Sequence, residues 1–240
     1  MTIAAINKEE KVIIHELLGS GDSDRIETML KLYGTLFPNY EHYIPRMRRR
    51  SQFDMNIRPG VVSHYWLIEV DNKPMGMTTF RYIQERNCGL GISFALLPEA
   101  RSVTVDGKRL SGYIIAKTME QFLADAQQLE SSEFLGMVTE VEHVELMNHY
   151  KRMGMLELPI KYLEPVFPME KDGQTREEEI ASINFLPAIL GLTPSPAKEQ
   201  NHYSQKTITN FALAFLVDHY GLPECHLMVQ SILQSIPEEN

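Results

Sequence analysis

The sequence predicts an α/β protein built on a mixed, mostly antiparallel sheet flanked by helices, with a helical extension at its C-terminal end. Three observations predict it. Residues 65–97 read as three consecutive strands separated by two turns, residues 112–129 switch to helical periodicity, and residues 134–141 return to strand character. Alternation of this kind belongs to layered folds in which helices cover a sheet.

Taken in order, residues 12–18 form a short apolar strand ended by Gly19-Ser20-Gly21, after which Asp22, Ser23 or Asp24 can cap a helix starting near Arg25. Ile26, Met29, Leu30, Leu32, Tyr33 and Leu36 keep helical spacing until Pro38, and residues 40–50 suit a second short helix. Residues 65–70 are rich in β-formers and run into the turn Asp71-Asn72-Lys73-Pro74, after which residues 75–83 are again extended. A second turn at 84–87 leads to a third strand that stops at Pro98. In 112–129, Ile115, Met119, Phe122, Leu123 and Ala126 share one face, while Lys117, Glu120, Gln121 and Asp125 share the other. Residues 144–153 read as a helix closed by Gly154, and 156–167 as an extended segment whose pairing Pro159 and Pro165 restrict.

A boundary is expected between Pro168 and Glu178, where Lys171-Asp172-Gly173-Gln174-Thr175 is polar and glycine-bearing, dividing the chain into 1–168 and 169–240. Beyond it the pattern is helical. Residues 207–220 are apolar almost all round, Gly221-Leu222-Pro223 breaks the run, and Leu227, Met228, Ile232, Leu233 and Ile236 make an amphipathic stripe. These helices are candidates for covering the sheet, completing an acceptor pocket or forming a homodimer.

Composition narrows the function. Hydrophobic residues are 43% and charged residues 23% of the 240, the profile of a chain that folds on its own. A formal net charge of −9 argues against broad nucleic-acid binding, and the cluster Arg46, Arg48, Arg49 and Arg50 reads as a solvated helix end. No apolar run is long enough to span a bilayer, and the opening residues, with Lys8, Glu9, Glu10 and Lys11, lack a signal-peptide pattern, so the expected location is cytoplasmic, with no membrane partner. Cys88 and Cys225 have no metal-like spacing, the eight histidines include no His-Glu-x-x-His, and His149 reads as a helix-surface residue, so no metal is expected. Gly89-Leu90-Gly91 lacks the third glycine of a dinucleotide fingerprint, and no Gly-x-Ser-x-Gly elbow occurs.

Three segments carry chemistry. Leu96-Leu97-Pro98-Glu99-Ala100-Arg101 ends the third strand of the 65–97 run. Lys108-Arg109-Leu110-Ser111-Gly112-Tyr113-Ile114 opens the central helix, and Tyr150-Lys151-Arg152-Met153-Gly154-Met155 closes a later one. A helix N-terminus offers unpaired N–H groups and a partial positive charge, so the Gly112 opening suits a diphosphate; Gly112 permits close approach, Arg109 and Lys108 add charge, and Ser111 can cap the helix or bind a phosphate oxygen.

These segments, in this order of strands and helices, resemble the acyl-CoA-binding core of the GCN5-related N-acetyltransferase (GNAT) superfamily over residues 12–167. Residues 96–101 resemble its apolar-x-Pro-Glu-x-Arg strand end, 109–114 its pyrophosphate loop, and 150–155 its Tyr-x-x-x-Gly-Phe signature. The resemblance implies a GNAT-like acyltransferase domain over 1–168 whose sheet splays where its parallel pair meets. It implies acetyl-CoA or another acyl-CoA as cosubstrate, bound by Leu97, Arg101, Lys108, Arg109, Leu110, Ser111, Gly112, Tyr113 and Ile114. It implies Tyr150 as general acid toward the departing thiolate and an amine of a small molecule or peptide as acceptor, near residues 33–50. Glu140, Glu142 and His143, at the end of the 134–141 strand, are the candidate bases, with His143 seven residues before Tyr150 where the family often has asparagine. Ile114 stands at the pattern's final small position and is expected to crowd the loop, and Asp106-Gly107 predicts a small hairpin within the extra segment 102–108. The alternatives are a longer or carrier-protein-bound acyl donor and a non-catalytic acyl-CoA-binding module.

Overall fold

The first strand, β1 (Val12–Glu16), lies antiparallel to β2 (Val61–Val70), with Val12 opposite Val70 and Glu16 opposite Trp66. Between them the chain makes α1 (Ser23–Leu36), a 3-10 turn (Pro38–Tyr43) and α2 (Ile44–Ser51) in the computed structural model, which describes residues 11–56, 58–131, 133–169, 173–196 and 203–238. Of the three candidate caps, Asp22 is the one used, its side chain accepting the Arg25 N–H at 3.1 Å.

Asp71 and Asn72, with φ of 48° and 61°, form the tight turn that returns β2 as β3 (Lys73–Ile83). Asn87, at φ 52°, ends the next turn and starts β4 (Cys88–Leu96). A 3-10 turn (Pro98–Ser102) follows, then a small hairpin of β5 (Thr104–Val105) and β6 (Lys108–Arg109), with Asp106 and Gly107 at φ 48° and 73° as the Asp-Gly pair predicts. The long helix α3 (Leu110–Gln128) leads to β7 (Gly136–Val141), α4 (Val144–Lys151) and β8 (Leu156–Glu157). The remaining elements are β9 (Leu163–Val166), α5 (Arg176–Ala181), β10 (Asn184–Pro187), β11 (Ile189–Pro194), α6 (Gln205–Leu213), its continuation as a π-helical turn (Ala214–His219), and α7 (Leu227–Gln234).

Among the described residues, seven strands form one sheet in the order β1-β2-β3-β4-β7-β11-β8. β4 and β7 run parallel, whereas β11 is antiparallel to β7 on one side and to β8 on the other. The α/β class and the mostly antiparallel sheet are as the sequence predicts. The 156–167 segment differs from its sequence reading: it is not one extended run but two short strands, with Pro159, which contributes no N–H to a ladder, in the gap between them and Pro165 inside the second, opposite Phe185. β9 pairs with β10 in a separate two-stranded sheet, and the place between β7 and β8 is taken by β11. The expected helices of the C-terminal part are present, but β10 and β11 precede them. Within the expected boundary, Lys171 and Asp172 lie outside the described residues.

The chain forms two compact units. Of the described residues, those up to Met55 together with His64–Thr79 and Ser93–Thr118 make one, and Asn56–Ser63, Phe80–Ile92 and those from Met119 onward make the other. In the first unit, Ile26, Met29, Leu30 and Tyr33 of α1 bury against Leu17, Met47, Leu67 and Met77, while Leu110 and Ile114 of α3 bury against Ile68, Val70, Leu96, Ala100 and Val103. In the second, Val138, Leu190 and Leu192 of the sheet pack with Phe211, Phe215 and Leu216 of the α6 segment and Val229 and Ile232 of α7. Each such side chain removed from water contributes roughly 1.5–3 kcal/mol before entropic costs, so the nearly all-apolar 207–220 run is accounted for by burial. Cys88 is buried and Cys225 exposed. Among the described residues, no helix is long and apolar enough to cross a membrane.

Candidate functional site

In the first unit, β5 and β6 bring the chain back so that the Leu110 N–H donates to the Val103 carbonyl at 2.9 Å, and α3 starts there. Leu110 and Ile114 lie on the buried face of the first turns, so Ile114 does not crowd the loop as its place in the motif suggests; its side chain is core. Leu110 and Ile114 therefore offer a ligand only backbone. Ser111, Gly112 and Tyr113 are partly exposed. Helix geometry directs the N–H groups of Ser111 and Gly112 out of the helix end, and a Cβ built on Gly112 meets nothing within 4 Å. The space beside Gly112 is open. Arg101, Lys108 and Arg109 are all exposed, and Arg109 Nη1 donates to the Arg101 carbonyl oxygen at 3.1 Å, which links the two arginines through backbone. Leu97, whose N–H donates to the Met75 carbonyl at 2.8 Å, anchors the end of β4.

The same unit holds a carboxylate hub that the sequence reading did not single out. Glu16 Oε1 accepts the N–H groups of Leu17 and Leu18 at 3.0 Å and of Tyr65 at 3.1 Å, while Oε2 accepts Trp66 Nε1 at 3.0 Å and lies 2.6 Å from His64 Nδ1. A depression of about 350 Å³ opens beside Gly19, Gly21 and Ser23, walled by Glu27 and Arg48, which pair at 2.6 and 2.9 Å. Two members of the arginine cluster thus have local partners: Arg48 meets Glu27, and Arg50 donates to the Asp54 and Met55 carbonyls.

In the second unit the parallel pairing of β4 and β7 covers only Cys88–Gly91 and Gly136–Thr139, and does not extend to the rest of either strand. Glu140 is the next residue of β7. Its Oε1 accepts the Tyr162 hydroxyl at 2.5 Å and its Oε2 the Tyr220 hydroxyl at 2.7 Å. Burial, and then the like charge of Glu164, push the Glu140 carboxyl up to about 8, with the two phenols pulling the other way. Both tyrosines are held well above the ordinary phenol range, first by burial and then by the Glu140 charge. Glu142 and His143 are different: both are exposed, their side chains 3.7 Å apart, and His143 stands at the N-cap of α4 without a side-chain capping bond. Tyr150, near the end of α4, is half-buried against Val141, Met147 and Met155, and burial raises its pKa. No described residue hydrogen-bonds its hydroxyl.

No protein-family model matches the sequence, and no curated protein matches it. Solved structures similar to this chain include the ribosomal-protein-S18-alanine N-acetyltransferase from Escherichia coli, at 11% identity and a TM-score of 0.47, covering 80% of this chain and 99% of that one. A putative GNAT-family acetyltransferase from Desulfovibrio desulfuricans is similar at 9% identity and a TM-score of 0.47, covering 77% and 99% of the two chains. A GNAT-family acetyltransferase from Elizabethkingia anophelis with acetyl-CoA bound is similar at 11% identity and a TM-score of 0.40, covering 77% and 97%. These are likenesses of shape, and the chemical reading rests on the residues of this chain.

The first unit collects Leu97, Arg101, Lys108, Arg109, Leu110, Ser111, Gly112, Tyr113 and Ile114, and the second collects Tyr150, Glu140, Glu142 and His143. Tyr162 and Tyr220 were not legible as site residues: they stand 22 and 80 positions from Glu140. The one signal available was a phenol at the end of an otherwise apolar helix, since a buried tyrosine hydroxyl needs a partner.

Proposed function

We propose that the chain is an acyl-CoA-dependent N-acyltransferase, with acetyl-CoA as donor and an amine of a small molecule or peptide as acceptor. The observation that carries this reading is the β4 and β7 pair, parallel for four residues and then unpaired, with a charged and phenolic cluster on the residue where pairing stops. Strands that part in this way leave backbone N–H groups able to bind an acyl carbonyl and, later, its oxyanion.

In this reading the diphosphate of coenzyme A takes the N–H groups of Ser111 and Gly112, with Arg109 and Lys108 supplying charge. Glu140 is the base. It accepts a proton from the acceptor ammonium, and the freed nitrogen lone pair attacks the thioester carbonyl to give a tetrahedral intermediate. Collapse breaks the C–S bond, the thiolate takes the proton of the Tyr150 hydroxyl, and the second proton of the attacking nitrogen passes to the phenolate, which leaves a neutral amide and restores the phenol. Burial favours that role, because a phenol whose pKa is raised stays protonated at neutral pH and is available as a donor.

Calorimetry with coenzyme A and acetyl-CoA, followed by mass spectrometry of spermidine, tobramycin and a short unblocked peptide after incubation with acetyl-CoA, tests the reading. Binding of both the thiol and the thioester and a mass gain of one acetyl group on an amine are expected. Folded protein that binds neither form overturns it.

A further inference from the structure

Glu140 stands where the sheet and the C-terminal helices meet. Its strand neighbour on the same face, Val138, is fully buried in a cluster with Leu190, Phe211, Phe215 and Tyr162, so the face that carries the carboxylate is the one covered by the α6 segment. Two phenols reach it from that covering layer. Tyr162 comes from the loop between β8 and β9, and Tyr220 follows the π-helical turn at the end of α6.

The π turn is what delivers Tyr220. From Ala214 to His219 the helix widens, and the Tyr220 N–H bonds to the Phe215 carbonyl five residues back instead of four, which displaces everything after it from the α-helical phase. Asp218 within the turn is gripped by Arg86 Nε at 2.9 Å and Arg58 Nη2 at 3.2 Å. The Tyr220 ring is stacked on Phe167 at 6.2 Å between centroids. The hydroxyl is thereby held at one oxygen of Glu140 while Tyr162 holds the other.

Two donors, one to each oxygen, call for a carboxylate here, because an amide accepts only at its oxygen and donates from its nitrogen. The carboxylate is kept despite the cost of removing it from water next to a second carboxylate, Glu164. The titratable groups that act on Glu140 among the described residues are Tyr162, Tyr220 and Glu164.

We infer that Tyr162 and Tyr220 are positioning residues that orient the Glu140 carboxylate and set the pH at which it accepts a proton, so that the C-terminal helical segment is part of the catalytic apparatus. The inference rests on the acyltransferase reading and goes beyond it by assigning a catalytic duty to a segment outside the 12–167 region that carries the sequence motifs. Each phenol donates to the ionised carboxylate, so removing one makes that form harder to reach.

The test uses Tyr162→Phe, Tyr220→Phe and Glu140→Gln in the full chain, with two readouts. Carbon NMR of side-chain carboxyls, with Glu140 identified by its loss in Glu140→Gln, follows protonation without any substrate; the pH profile of kcat/KM for acetyl transfer to the best amine of the panel above follows catalysis. Each phenylalanine variant is expected to move the Glu140 titration and the ascending limb of kcat/KM upward by about one pH unit and to lower kcat/KM at neutral pH roughly 10-fold, since a hydrogen bond to a charged group is worth about that much. Acetyl-CoA affinity is expected to be unchanged, and Glu140→Gln to lose the limb. An NMR titration that moves while the limb stays overturns the catalytic role, and one that stays overturns the positioning role. Loss of thermal stability with neither readout moved marks both tyrosines as structural. Failure of wild-type protein to bind acetyl-CoA by calorimetry fells the underlying reading instead, a result the NMR titration does not depend on.

Discussion

Arg109 Nη1 donates to the carbonyl oxygen of Arg101 at 3.1 Å, which ties the guanidinium at the start of α3 to the 3-10 turn that ends β4. The side chain is exposed yet restrained, an arrangement that lowers the entropic cost of meeting a phosphate. Arg109→Ala is expected to weaken coenzyme A binding about 10-fold by calorimetry while leaving the denaturation midpoint within about 0.5 kcal/mol of wild type, as for other exposed positions.

Gly112→Ala separates ligand from fold by opposite signs. A Cβ there meets nothing within 4 Å, and alanine is a better helix former than glycine by up to about 1 kcal/mol. Thermal denaturation should therefore show equal or higher stability, and calorimetry weaker coenzyme A binding. Unchanged affinity would move the diphosphate elsewhere.

Tyr150→Phe removes the acid but keeps the ring against Met147 and Met155. The expected loss is roughly 10²-fold or more in kcat with acetyl-CoA affinity preserved, the range for a positioned proton donor. Steady-state kinetics alongside calorimetry measures both.

Glu140 also makes a stability prediction. Its carboxyl sits at about 8 in the folded chain against an ordinary 4.5, so the folded state binds the extra proton between those values. The stabilisation this gives is complete below the ordinary value and is lost as pH rises through about 8. Urea midpoints should fall between about pH 5 and about pH 9 for wild type and fall less for Glu140→Gln, whose amide does not titrate.

Gly136 has φ of 146°, and an added Cβ would collide with the Thr193 carbonyl oxygen of the neighbouring β11. Gly136→Ala combines backbone strain with overpacking at the start of β7, and a destabilisation of about 2–4 kcal/mol is expected in chemical denaturation.

Local signals made most of the architecture readable from sequence. The Asp71-Asn72 and Asp106-Gly107 turns, the Asp22 cap and the long α3 helix all rest on residues whose backbone preference is decided within a few positions. The partner of β7 was not readable, since β11 is joined to it by a pairing across the 142–188 segment, and strand pairing at that separation leaves no local mark. The phosphate-binding candidates were legible because a loop before a helix is a short motif. Glu140 was legible as one of three candidate bases at a strand end; what makes it distinctive, the two phenols, comes from elements far away in the chain. Ile114 shows the converse, a motif position whose side chain serves the core.

The late strand has a bearing on how the molecule is made. β11 fills the place between β7 and β8, both of which leave the ribosome before it, so a growing chain passes through a stage with two unmatched strand edges. Long-range closure of this sort is slow. Until Ile189–Pro194 has been synthesised and inserted, the nascent protein should be most exposed to mispairing and most dependent on chaperones.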